Sequence, residues 1–139
     1  MSNAVLHLTN ATIFQKENLI LDDVTVSIEK GEFVYLIGKT GSGKSSFMKT
    51  LYADIPLKKG KGSIVDYNLK KLKEKDIPFL RRKLGVVFQD FKLLTDRTVN
   101  ANLEFVLKAT GWKNKTEMAN RIEEVLDKVG MKTTGFKFP

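Results

Sequence analysis

A chain of 139 residues with 42% hydrophobic content can build one domain, or part of one, around a sizeable core, and no apolar run approaches the roughly 20 residues that span a bilayer. The absence of cysteine excludes disulfides and Cys-based zinc sites and fits a cytosolic chain, and the first residues lack the basic-then-apolar pattern of a secretory leader. The net charge of +8 is concentrated between Lys58 and Lys83, where ten basic residues outnumber Asp66, Glu74 and Asp76. That block suits a nucleic acid or an anionic membrane surface, but without interleaved aromatics it reads first as a solvated lysine-rich face.

Ala4 to Asn10 alternates as a strand, and Leu19 to Ile28 continues as one or two more beyond the polar turn at Gln15–Asn18. After the tight turn Glu29-Lys30-Gly31, the β-rich run Glu32–Ile37 predicts another strand. It feeds Gly38-Lys39-Thr40-Gly41-Ser42-Gly43-Lys44-Ser45, which fits the phosphate-binding pattern G-x-x-x-x-G-K-[ST] with an extra glycine at Gly41. Glycines allow positive φ and bring backbone N–H groups close to phosphate oxygens. The helix that follows, predicted from Lys44 to about Ala53, aims its partial positive end at the same place. Lys44 is the group expected to reach the β- and γ-phosphates, and Ser45 is expected to ligate Mg²⁺, with Ser46 completing the loop. The sequence therefore predicts a nucleotide site, and two strands ahead of the loop argue against a small P-loop kinase.

Further on, Lys58–Gly62 reads as a loop and Ser63–Val65 as a short strand closed by Asp66-Tyr67-Asn68. Asp76 is placed to cap a short helix over 77–83, with Pro78 in its first turn. Val86-Val87-Phe88 predicts a buried strand. A helix spans Val99 to about Ala109 and stops near Gly111. A last helix starts at Thr116, where Met118, Ile122, Val125, Leu126 and Val129 share a core-facing side before the stop at Gly130.

The phosphate loop, the antiparallel prelude and Val86-Val87-Phe88-Gln89-Asp90 together resemble the ABC-type ATPases, the nucleotide-binding subunits of membrane transport machines. The resemblance implies an α/β P-loop domain with an N-terminal antiparallel β flank and the start of a helical subdomain. It implies that Gln89, in a Q-loop, approaches Mg²⁺ and the attacking water and couples the site to a transmembrane partner. Phe14 stands nine residues before Asp23, the offset of the family's adenine-stacking aromatic, and serves equally well as a core residue. The string from Ile77 to Val99, with Leu93-Leu94-Thr95-Asp96-Arg97-Thr98-Val99 after the Q-loop, is similar to the family's cell-division branch. That likeness implies an FtsX-like integral membrane permease as partner, septal cell-wall remodelling as the output, and a peripheral position on the inner face of the cell membrane. It also implies an ATPase homodimer in the ATP-bound state, and nucleic acid is not an expected partner. Subunits of lipoprotein and macrolide exporters share much of the pattern. The family's signature loop, its apolar strand ending in Asp-Glu, and its late histidine have no counterpart here; His7 precedes the loop. The expectation is an incomplete polypeptide, inactive in hydrolysis alone, in which Phe33–Ile37 bare apolar surface.

Overall fold

The computed structural model describes residues 4–131 and 135–139. They form two compact units, one ending at Gly85 and the other beginning at Val86. In the first, strands β1 (Ala4–Gln15), β2 (Asn18–Glu29), β3 (Lys59–Ile64) and β4 (Tyr67–Asn68) make one antiparallel sheet in the order β2-β1-β3-β4. Side chains alternate across it. Leu6, Leu8 and Ile64 are buried on one face, whereas His7, Ser27, Ser63 and Asn68 line up in register on the wet one. Helix α1 (Lys44–Leu51) adds Phe47 and Leu51 to the core, and α2 (Ile77–Arg82) adds the fully buried Leu80.

The long hairpin carries several register shifts, and one of them is shared by both ladders of β1. Between Leu8 and Ala11 the ladder to β2 gains an extra residue on β1, and between Thr9 and Thr12 the ladder to β3 does the same. The common residue is Asn10, at φ 46°, whose Nδ2 donates to Asp23 Oδ1 at 2.6 Å; Asp23 is itself left-handed at φ 53°. Bulges of this kind bend and twist a strand. Opposite Asn10 the chain needs Gly60, at φ 84°, because a Cβ there would run into the Asn10 carbonyl and the Ala11 Cα.

In the second unit, α3 (Val99–Ala109) and α4 (Lys115–Lys128) form a helical pair. Thr98 caps α3 by accepting from Ala101 N–H, and the carbonyls of Lys137 and Gly135 accept from Val99 and Asn100 N–H, satisfying donors that a helix start leaves open. Asn114 caps α4 through Thr116 and Glu117 N–H.

Several elements differ from expectation. Residues 32–37 form no ladder: no hydrogen bond joins the backbone of residues 33–37 to another described residue, and Phe33, Tyr35 and Ile37 are 81%, 79% and 87% exposed. Phe33 and Tyr35 still stack edge to face with centroids 5.0 Å apart, as i and i+2 do in extended chain. Val86–Phe88 likewise joins no sheet, with Val87 87% exposed. The expected exposure of Phe33–Ile37 is therefore found, and the expected strand is not. β3 starts at Lys59 instead of Ser63, because Gly60 and Gly62 occupy its inward positions and mask the alternation. Asp76 makes no side-chain cap: a 3₁₀ turn, Glu74–Asp76, runs straight into α2. Val129, expected in the core, is exposed past the end of α4.

Candidate functional site

The phosphate loop sits between the extended run and α1. Gly41 and Gly43 both adopt left-handed φ, 81° and 92°, and Gly43 is the residue from which α1 starts. Position 43 is doubly restricted. Its φ disfavours any L side chain, and a Cβ would come within 2.9 Å of Ile20 Cγ2 and 3.0 Å of Leu21 Cδ2. No side chain caps α1, so its first-turn N–H groups face outward without an intrahelical acceptor. Such an end attracts anions.

Lys44 curls back over the loop. Its Nζ donates to Gly38 O at 2.6 Å and Lys39 O at 2.8 Å, and lies 3.4 Å from Ser42 Oγ. A Cβ on Gly38 would meet Ser42 Oγ at 2.5 Å, so the loop closes on itself tightly at this point. Gly38, Lys39, Thr40, Gly41 and Ser42 are all exposed, and so is Ser45. Ser46 faces the other way, buried, with its Oγ 3.5 Å from Gln15 Oε1. A cationic amine above two left-handed glycines, next to an uncapped helix start and an open hydroxyl at Ser45, is a donor set that fits a polyphosphate.

The bent tip of the β1–β2 hairpin reaches this loop through Gln15, Ile20 and Leu21. Phe14 lies beside Gln15, half-buried, and the Lys59 ammonium stands 5.4 Å from its ring centroid. Phe14 is thus neither sealed in the core nor bare. Gln89 belongs to the second unit. It is exposed in the turn Gln89–Lys92, where Phe91 N–H donates to Phe88 O and both Phe91 and Lys92 are left-handed. The hydrogen bond from Lys92, 2.6 Å from Asp90, holds the Asp90 carboxyl below its usual range.

One residue of this second unit escaped the sequence reading. Asn102 is 9% exposed; its Oδ1 accepts from Leu94 N–H at 2.8 Å while its Nδ2 donates to the carbonyls of Leu94, Thr98 and Arg97 at 2.9, 3.0 and 3.3 Å. It ties the segment after Gln89, at Leu94 and Arg97, to α3. Its sequence signal is weak, since α3 carries a second asparagine, Asn100, two residues earlier. Arg97, paired through Nε with Asp96 at 3.0 Å, spreads its guanidinium 5.7 Å from the Phe105 ring.

A glycine-rich loop that opens a helix and carries its lysine at this position defines a phosphate-loop nucleotide-binding protein. The sequence profile described as "ABC transporter" matches residues 21–137, and the chain belongs to that family. It is 44% identical over 119 residues to the cell division ATP-binding protein FtsE of Streptococcus pneumoniae, covering 86% of this chain and 51% of that protein. It is 34% identical over 119 residues to the methionine import ATP-binding protein MetN 2 of Salmonella choleraesuis, covering 86% of this chain and 35% of that one. The solved dimer of the ATP-binding cassette MJ0796, in a post-hydrolysis state bound to ADP and Pi, superposes with a TM-score of 0.78 at 27% identity, over 96% of this chain and 61% of the other. The fold is accordingly that of an ABC ATPase domain. The chain spans about half the length of the cell-division relatives it matches.

Proposed function

We propose that residues 1–139 are the N-terminal part of one ABC nucleotide-binding domain, holding the phosphate loop and Q-loop and lacking the signature, acidic-strand and histidine motifs. The whole protein is an ATP-hydrolysing subunit of a membrane complex, of the cell-division type that pairs with an FtsX-like permease and drives septal remodelling. The observation that carries the reading is the Lys44 amine gathered over the Gly38 and Lys39 carbonyls beside the open start of α1. Mg-ATP, when bound, supplies the scissile phosphoanhydride and the metal charge that neutralises it. Lys44 exchanges its carbonyl acceptors for the β- and γ-phosphate oxygens, and the N–H groups from Gly41 to Ser46 orient the same group. The Ser45 hydroxyl would be the first unit's ligand to the metal, and the Gln89 amide, from the second unit, would serve the metal and the attacking water. Phe14 offers its ring to the adenine.

Residues 91–105 are the proposed contact with the membrane partner, and that partner holds the subunit at the inner face of the cell membrane. No helix among the described residues is long and apolar enough to cross a membrane. The 34% identity to the methionine import subunit favours a second reading, a transport cassette outside cell division. Co-purification with an FtsX-like permease separates the two.

Lys44→Ala tests the site. It removes a charge-assisted contact worth roughly 10- to 100-fold in affinity, so titration with a fluorescent ATP analogue is expected to show that loss, and wild-type affinity sinks the assignment. Gln89→Ala is expected to leave nucleotide affinity unchanged and lower turnover in the whole protein; equal turnover removes Gln89 from the mechanism.

A further inference from the structure

The lysine-rich block is organised by the fold in a way its sequence hides. From β4 onward, Leu69, Leu72, Leu80 and Leu84 turn inward against the core of the first unit. Lys70, Lys71, Lys73 and Lys75 are exposed, and no carboxylate lies within ion-pairing distance of any of these four among the described residues. Asn68 Oδ1 accepts from the N–H groups of Lys70 and Lys71, fixing the backbone from which both project. Lys83 joins the same end of the sheet, with its ammonium 5.5 Å from the Tyr67 ring. On α2, Phe79, Arg82 and Lys83 stand at i, i+3 and i+4, away from the buried Leu80, and Phe79 is 53% exposed. The Arg82 guanidinium lies 5.1 Å from the Phe79 ring centroid.

Aromatics do accompany the cations: Tyr67 and Phe79 both lie within the Lys58–Lys83 block, which corrects its reading as a lysine-rich face without interleaved aromatics. We propose that this face, made of Lys70, Lys71 and Lys73 just after β4, Lys83 beside Tyr67 and the exposed Phe79 beside Arg82, is a binding surface for anionic phospholipid. A half-exposed ring on the same unit as ammonium groups that have no carboxylate partner among the described residues matches the boundary between headgroups and acyl chains, where amphipathic aromatics and lysines are favoured together. A nucleic acid is the less suitable occupant. Bases need open ring faces to stack on, and here the Tyr67 and Phe79 faces already hold the chain's own cations. The inference rests on the proposed membrane-linked function for its setting, and on these residues alone for its chemistry.

The test is sedimentation of the purified full chain with vesicles of phosphatidylcholine, with and without a substantial share of phosphatidylglycerol, across a salt series and without nucleotide. Binding is expected only with phosphatidylglycerol and is expected to fall as salt rises. The K70Q/K71Q/K73Q variant, altered only at exposed side chains, is expected to bind roughly 100-fold less well, and Phe79→Ser several-fold less well. Equal binding to both vesicle types overturns the proposal, as does an unaffected lysine variant. So does a single-stranded oligonucleotide that binds more tightly than the vesicles and displaces them, which returns the face to nucleic acid. Lys44→Ala, run in parallel, is expected to retain vesicle binding. Loss of nucleotide binding with retained vesicle binding separates the two sites, so failure of one reading is distinguishable from failure of the other.

Discussion

Two stretches of the first unit are both rich in strand-forming apolar residues and have opposite fates. β1 carries Leu6, Leu8 and Ile13 between neighbours on both sides, and all three are buried. Residues 33–37, Phe-Val-Tyr-Leu-Ile, are more apolar still, yet they lie extended, without ladder partners and open to solvent. Apolar β-branched and aromatic content makes a chain suitable for a sheet, but only a neighbouring strand makes it part of one. Being apolar on both faces, the run is suited to the centre of a sheet.

The comparison can be broken most severely at Leu8. Leu8→Ala is expected to destabilise the first unit by ~2–5 kcal/mol, read from urea unfolding, because it opens a cavity at a fully buried site. Asn102→Ala is expected to cost ~1–3 kcal/mol in the second unit, since the Leu94 N–H and the carbonyls around it lose their shared partner. Denaturation profiles that match wild type would remove Asn102 as the organiser of that segment.

A smaller effect is expected from pH. Hydrogen bonds from Lys128 first, then Arg121, hold the Glu124 carboxyl down to about 2, against 4.5 for an ordinary glutamate. A carboxyl depressed in the folded state contributes stability above its unfolded pKa and loses it as pH falls through the folded one. Far-UV circular dichroism of α4 should therefore weaken between about pH 4.5 and 2, and Glu124→Gln should flatten that change. Least of all should Ile37→Ser matter to stability, since Ile37 is already solvent-exposed. Its expected readout is reduced self-association by light scattering, and a loss of stability comparable to that of Leu8→Ala would show that the run has cover in solution.

Local chemistry was legible wherever it is set by the chain itself. The phosphate loop, the start of α1 at Lys44, the span of α3 and the stop at Gly130 all follow from glycine placement and helical spacing. What could not be read depends on partners. Val86–Phe88 looked like a strand because periodicity reports burial capacity and says nothing of pairing. Lys59 and Lys61 looked like loop because glycines alternate with them. The Asp76 cap failed because the preceding 3₁₀ turn places that residue in helical φ/ψ, at −93° and −18°, where its side chain makes no capping hydrogen bond. The contact of Gln15 with Ser46 spans 31 residues and has no local signature.

The extra residue at Asn10 gives the strand one position with a special tolerance. Within a regular stretch of β1, such as Leu6 to Leu8, removing a single residue reverses which side chains face the core from that point on. At Asn10 the same deletion removes the extra residue shared by both ladders and brings Leu6, Leu8, Ala11 and Ile13 into one alternation, so the sheet keeps its inside and outside. The bend is lost instead, and with it the direction in which the hairpin tip carries Phe14, Gln15, Ile20 and Leu21. Indels at this point would act as an adjustment screw for the hairpin tip, shifting Phe14 together with the Gln15, Ile20 and Leu21 contacts that the tip makes with Ser46 and Gly43.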